Sequence, residues 1–257
     1  MKNLSKSLLA VALLAAGTGA ANASINAATA ATGTTAEAFM QVYDHTNGLT
    51  YDLDLGVTVA TLIANAAAGT NFSLTLSDAN WTTFTGGSFA ANDTKFAVVG
   101  GNGAKVVFSS DAVSAPLAAS APLLTTAGNN IALQAGRINV GATVNTALNV
   151  SKLVLDTATS GTGQWATANG STNVPTNLFG GLGNASAAIA YGLSGNLYYE
   201  NVVSAVVGGA NIGTVSLIGN TFTISQVSQV PLPAAVWMFG AGLMGVLRLN
   251  RRKSAAI

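Results

Sequence analysis

Apolar and polar residues alternate one for one along several stretches of this chain. From Tyr51 to Val59 (YDLDLGVTV), Leu53, Leu55, Val57 and Val59 fall on one side, with Asp52 and Asp54 on the other. Phe72, Leu74 and Leu76 repeat the pattern, and Leu148, Val150, Leu153 and Leu155 carry it with one break of phase. Thr221 to Val230 alternates through Phe222 and Ile224. A period of two sends successive side chains to opposite faces, so each stretch predicts a strand with one face in a core and one in water. Asn47-Gly48 separates Phe39–Tyr43 from Leu49–Leu55, and Gly100-Gly101-Asn102-Gly103 separates Lys95–Val99 from Ala104–Phe108. Asn and Gly tolerate the positive φ of tight turns, so both predict hairpins. No long segment of period 3.6 stands out. Short strands with Gly-rich turns predict an all-β domain, a β-sandwich or a jelly-roll-like fold. The Gly-, Thr- and Asn-rich stretch Gly161–Gly183 reads as a long loop or a sub-domain break.

The two ends follow other rules. Lys2 and Lys6 precede the short apolar core Leu8–Ala16, and Ala21-Asn22-Ala23 supplies a small-residue cleavage pattern. This order predicts a helical signal peptide over residues 1–23, with Ser24 first in the mature chain. At the other end, Val230-Pro231-Leu232-Pro233-Ala234 leads into a charge-free run to Leu247, followed by Arg248, Arg251, Arg252 and Lys253. As a helix, Ala234–Leu247 measures about 21 Å and Val230–Leu247 about 27 Å. Both fall short of a hydrocarbon core of roughly 30 Å. A single transmembrane helix over about residues 232–249 is therefore a marginal tether. Its basic end belongs in the cytoplasm and residues 24–229 belong outside.

Charge separates the ends from the middle. The region between them holds nine acids (Glu37, Asp44, Asp52, Asp54, Asp78, Asp93, Asp111, Asp156, Glu200) and four bases (Lys95, Lys105, Arg137, Lys152). Its net charge of about −5 excludes nucleic acid as a partner, because phosphates need a basic footprint. From Asp156 to Arg248 the only charged residue between is Glu200. Neutral polar surfaces are ordinary in exported bacterial proteins; strand edges without charge are also poorly protected against pairing between copies, so self-association stands as the alternative reading. The chain has no cysteine, so thiolate metal sites, cysteine nucleophiles and disulfide staples are excluded.

Candidate chemistry is sparse. His45 is the single histidine, so a Ser-His-Asp triad would have to use it. It lies beside a turn, where a polar residue is expected anyway. Asp52 and Asp54 share a strand face, expected to be the solvated one. With Asp44 from the preceding strand they are the acids that would take calcium, a cation seeking several oxygens. No calcium-loop motif accompanies them, and alternation alone demands polar residues there. Gly101-Asn102-Gly103-Ala104-Lys105 lacks the spacing of a phosphate loop and reads as a hairpin turn. Trp81, Trp165, Tyr191, Tyr198 and Tyr199 could stack on sugars, but core packing accounts for them as well. The pattern reads as non-enzymatic, with no catalytic residue and no required cofactor.

The C-terminal residues carry a resemblance. Val230-Pro231-Leu232-Pro233-Ala234-Ala235-Val236-Trp237, then Gly242-Leu243-Met244-Gly245, then Arg251-Arg252-Lys253 resemble a PEP-CTERM sorting signal of the VPLPA type over residues 230–257. Trp237, Phe239, Gly242, Leu243, Gly245 and Leu247 would lie in its membrane helix. Arg248 departs from the usual pattern and shortens that helix slightly. The resemblance implies export in a Gram-negative-type cell, transient tethering in the inner membrane and processing by an exosortase near the proline motif. It further implies release to the cell surface or an exopolysaccharide-rich biofilm matrix. It covers the tail and says nothing of the fold ahead of it. The expectation is a non-enzymatic surface or matrix protein. The alternatives are a carbohydrate-binding module, calcium-assisted or not, and a glycan-processing enzyme.

Overall fold

The computed structural model describes residues 24–27, 30–87, 89–111, 120–144, 150–155, 188–203 and 206–226. All of these belong to one compact unit, Met1–Val227; a second, Ser228–Ile257, lies outside the described residues. So do the expected signal peptide, the stretch Gly161–Gly183 and the sorting tail. Among the described residues no helix is long and apolar enough to cross a membrane.

The hairpin at Asn47-Gly48 joins β1 (Glu37–Asp44) to β2 (Leu49–Thr58). Pairing runs from Asp44↔Leu49 to Ala38↔Val57 and Glu37↔Thr58, with a register shift between Ala38 and Phe39. Leu55 and Gly56 are the two extra residues of β2 at this shift, and Gly56 sits at φ +65, where a side chain would be strained. The Asp54 carboxylate accepts a hydrogen bond from the Gly56 N–H at 2.8 Å and fixes the bulge. The expected strand stops one residue early. Thr58 caps a helix, α1 (Val59–Ala68), its side chain accepting from the Thr61 N–H, and Gly69 closes it at φ +66.

The remaining elements are β3 (Phe72–Thr75), α2 (Ala79–Phe84), β4 (Thr94–Asn102), β5 (Lys105–Ser110), α3 (Ala121–Asn139), β6 (Thr143–Val144), β7 (Val150–Leu155), β8 (Ile189–Ala190), β9 (Ser194–Val203), β10 (Val206–Ile218) and β11 (Thr221–Ser225). The strands hydrogen-bond as one eleven-stranded sheet in the order β3-β11-β10-β9-β5-β4-β1-β2-β7-β6, with β8 beside β4. Every pairing is antiparallel. The domain is thus mostly β, a single curled sheet.

The curl gives the sheet two buried faces. On its inner face Met40, Leu53, Val98, Leu197, Leu217 and Phe222 pack in one cluster with Leu62 of α1 and Trp81 and Phe84 of α2. Strands far apart in the sheet order meet here. The Trp81 indole N–H donates to the Asn220 side-chain oxygen at 3.0 Å, tying α2 to the β10–β11 turn. On the opposite face Phe39, Val99, Val106, Phe108 and Tyr198 pack against Leu124, Ile131, Ala135 and Ile138 of α3.

Helix α3 corrects the expectation that no long segment has period 3.6. Its buried positions, Leu124, Ala127, Gly128, Ile131, Gln134, Ala135 and Ile138, recur largely at three- and four-residue spacing. Ala127, Gly128, Gln134 and Ala135 bring little hydropathy to the stripe, while Leu123 and Leu133 lie exposed on the other side, so the contrast between faces is weak. Pro122 sits in the first turn, where its missing N–H has no partner to lose.

Candidate functional site

Asp52 and Asp54 are the residues the sequence singled out, and both are fully buried. The expectation of a solvated face fails: on the same face Phe39 and Tyr43 of β1 and Val150 of β7, the strands flanking β2, are buried in the cluster that packs on α3. Strand alternation tells which residues share a face, not whether the face meets water. Asp52 lies across from Gln41, whose side-chain amide donates to Asp52 Oδ1 at 2.6 Å. Asp52 Oδ2 has no hydrogen-bond partner. Burial pushes the Asp52 carboxyl up to about 8, against the opposing pull of Gln41 and of Lys152. Burial likewise pushes Asp54 up to about 7, opposed by the Gly56 N–H. A group stripped of water favours its uncharged form, so these acids hold protons at neutral pH better than exposed ones do.

Lys152 stands directly across from Asp52 in the β2–β7 register. Its ammonium donates to the carbonyls of Arg137 at 2.9 Å and Val140 at 2.6 Å. A cation there complements the negative end of the α3 dipole. Partial burial lowers the Lys152 pKa, countered by Asp52.

The third acid of the calcium expectation is elsewhere. Asp44 lies on the strand face opposite that of Gln41 and Asp52, by the alternation of β1. Its carboxylate accepts from the Asn47 N–H at 3.1 Å, the Asn47 side-chain amide at 2.7 Å and the Ala90 N–H at 3.1 Å. The structure therefore does not bring Asp44, Asp52 and Asp54 together. Among the described residues no three His, Asp or Glu side chains gather as a metal site would need. His45 pairs through Nδ1 with Asp93 Oδ2 at 3.0 Å, both side chains about half exposed. Thr46 donates to the same oxygen at 2.8 Å, and the two contacts hold the Asp93 carboxyl below its usual range. This is a clasp between the β1–β2 turn and residues Ala91–Asp93, not a cleft.

The aromatic candidates are dispersed. Trp81 is buried on the inner face, 5.1 Å from Tyr51 edge-to-face and stacked 5.5 Å from Phe84. Tyr198 is buried on the opposite face beside Phe108. Half-buried Tyr191 meets Phe89 edge-to-face at 5.3 Å and donates from its hydroxyl to the Gly219 carbonyl at 2.9 Å. Trp165 lies outside the described residues. Trp81 and Tyr198 cannot share a sugar platform from opposite faces. The Gly101–Lys105 turn is enclosed rather than open, with Asn102 and Gly103 buried.

Two polar constellations escaped the sequence reading. Asp78 caps α2 by accepting from the Asn80 and Trp81 N–H groups. It also accepts from the Tyr51 hydroxyl at 2.6 Å and the Ser151 hydroxyl at 2.9 Å, while Asn80 donates to Ser151 at 2.9 Å. Burial and Asp78 together push the Tyr51 phenol up, so it donates its proton and keeps it. Ser77-Asp78 ahead of an aromatic-containing helix was the legible part of this junction.

The second constellation holds the start of the described chain. Ile25 is buried among the residues under α3. Asn139, the last residue of α3, accepts from the Ile25 N–H at 2.7 Å and donates to the Ile25 carbonyl at 2.9 Å. The Asn26 N–H donates to Glu37 Oε2 at 2.5 Å, the Glu37 N–H donates to the Asn26 carbonyl at 2.8 Å, and Asn102 donates to the Ala27 carbonyl at 3.1 Å. The chain matches no protein-family model, no curated protein and no solved structure.

Proposed function

We propose that this chain is an exported, non-enzymatic surface or extracellular-matrix protein, tethered briefly by its C-terminal helix and then freed by an exosortase. The observation that carries the reading is the order Val230-Pro231-Leu232-Pro233-Ala234, Gly242-Leu243-Met244-Gly245 and Arg251-Arg252-Lys253. A plain membrane anchor needs neither the proline motif nor the paired glycines. The apolar length is marginal for a span, which suits a temporary tether. The signal-peptide pattern at residues 1–23 supplies the route across the inner membrane.

The rest of the chain supports a scaffold role. Asp54 fixes a bulge, Asp44 a turn and Asp52 a buried pairing with Gln41. Apolar cores on both sides of the sheet support a sandwich-like ectodomain that lives outside the cell without disulfides. Exopolysaccharide and further copies of the chain are the partners this reading favours.

Intact-mass analysis of the protein from cells with an active exosortase tests it. A mature species that begins at Ser24 and ends near Val230–Ala234 is expected. A chain that keeps its C-terminus through Ile257 in such cells would sink the proposal.

A further inference from the structure

The segment Ser24–Ala27 is held as a bound peptide would be. Of the backbone polar groups of Ile25, Asn26 and Ala27, five are met by hydrogen bonds: both of Ile25 by Asn139, both of Asn26 by Glu37, and the Ala27 carbonyl by Asn102. The Ile25 side chain is 2% exposed and plugs the apolar layer under α3. An extended backbone read by main-chain and amide groups, with one side chain in a socket, is the logic of strand-in-groove recognition. Asn139 lies 114 positions away in sequence, so the grip exists only in the folded domain.

We infer that this strap couples signal-peptide removal to folding: the bond between Ala23 and Ser24 can be cut only while Ser24–Ala27 is out of its groove. The inference rests on the signal-peptide reading above. The expected scissile bond lies one residue before Ile25, the first residue gripped on both its N–H and its carbonyl. A protease needs several residues on each side of the bond in an accessible, extended chain, and a docked strap withdraws the downstream side. Cleavage of folded precursor then tracks the small population in which the strap is open. Cleavage before folding meets no such barrier. Once cut, the new end folds into its groove, where Ile25 is shielded from exopeptidases.

The test uses the full-length chain, purified folded in detergent and incubated with bacterial signal peptidase. Asn139→Ala removes two strap contacts and Asn102→Ala removes one, and neither alters residues 1–27. Each variant is first checked for a cooperative thermal transition; should Asn139→Ala lack one, Asn102→Ala carries the comparison. The folded variants are expected to release product about five- to thirtyfold faster than wild type, as a loss of one to two hydrogen bonds implies. Urea-unfolded wild type, with no strap to open, should be cut at least as fast as the variants. Equal rates for folded wild type and variants, with product starting at Ser24, overturn the coupling and leave the signal peptide standing. No cut at Ala23–Ser24 even in unfolded chain overturns the signal-peptide reading and the coupling with it.

Discussion

Gly128 of α3 rests directly on Gly103 in the β4–β5 turn. A Cβ built at Gly128 would lie 1.9 Å from the Gly103 carbonyl oxygen and 2.7 Å from its nitrogen. Backbone, not a movable side chain, blocks the way. Gly128→Ala should therefore lift α3 from the sheet and cost about 3 kcal/mol, the upper range for overpacking. Gly136, in the same helix, has nothing within 4 Å of its would-be Cβ. Gly136→Ala should stabilise by about 0.5–1 kcal/mol through helix propensity alone. Urea melts of the two variants give the pair of values, and matching effects would refute the close-packing argument.

The buried acids make stability depend on pH in a defined direction. In the fold Asp52 keeps its proton to about pH 8 and Asp54 to about 7, whereas both ionise near 4 in the unfolded chain. Above about 4 the folded state thus binds more protons than the unfolded state, and stability falls as pH rises through 7 to 8. The slope is at most about 1.4 kcal/mol per pH unit for each group. Asp52→Asn, which cannot ionise, should flatten this decline and be more stable than wild type at pH 8. Urea midpoints measured from pH 4.5 to 8.5 check it; a wild-type stability that climbs across that range would contradict the buried, protonated carboxyl.

Tyr51→Phe removes one hydroxyl and leaves Asp78 Oδ2 without its 2.6 Å donor. The cost should be about 1–2 kcal/mol, since a charge-accepting hydrogen bond is lost and little packing changes. Tyr51→Ala also empties the aromatic stack with Trp81 and Phe84, and about 3–5 kcal/mol is expected. Trp81 emission in both variants reports whether the stack opens. Equal losses for Phe and Ala would place the whole effect in the hydroxyl.

Gly56 holds φ +65 at the bulge that Asp54 fixes. Gly56→Ala should cost about 1–2 kcal/mol from left-handed strain alone. Gly56→Asn should cost less, because Asn tolerates that region. A chemical-denaturation series over Gly, Asn and Ala at this position gives the ranking.

Local signals in the sequence were read well where local geometry decides the outcome. Asn47-Gly48 and Gly100–Gly103 sit where positive φ is required, and both turn up as hairpins. The alternation of Phe72 and Leu74 likewise turns up as a strand, Phe72–Thr75. What escaped was everything that depends on coverage. The stripe of α3 includes Ala127, Gly128, Gln134 and Ala135, with Gly128 pressed onto Gly103, and such residues blur the periodic hydropathy that Leu124, Ile131 and Ile138 carry. Asp52 and Asp54 look solvated in a strand pattern, yet both are buried on a face whose flanking strands join the cluster beneath α3. The grip of Asn139 on Ile25 joins residues with no sequence relation at all.

At one end of the sheet, β3 pairs among the described residues with β11 alone, with Phe72 opposite Ile224 and Asn71 accepting from the Gln226 N–H across 155 positions. Pairing so distant carries a high loop-closure cost and tends to form late. The sheet cannot finish its edge until the chain near residue 225 has arrived. A ribosome or a membrane pore still holding the last strand would thus leave β3 and the free side of β10 unpaired. Completion of the edge is in effect a clock, struck when the C-terminal part of the chain is delivered.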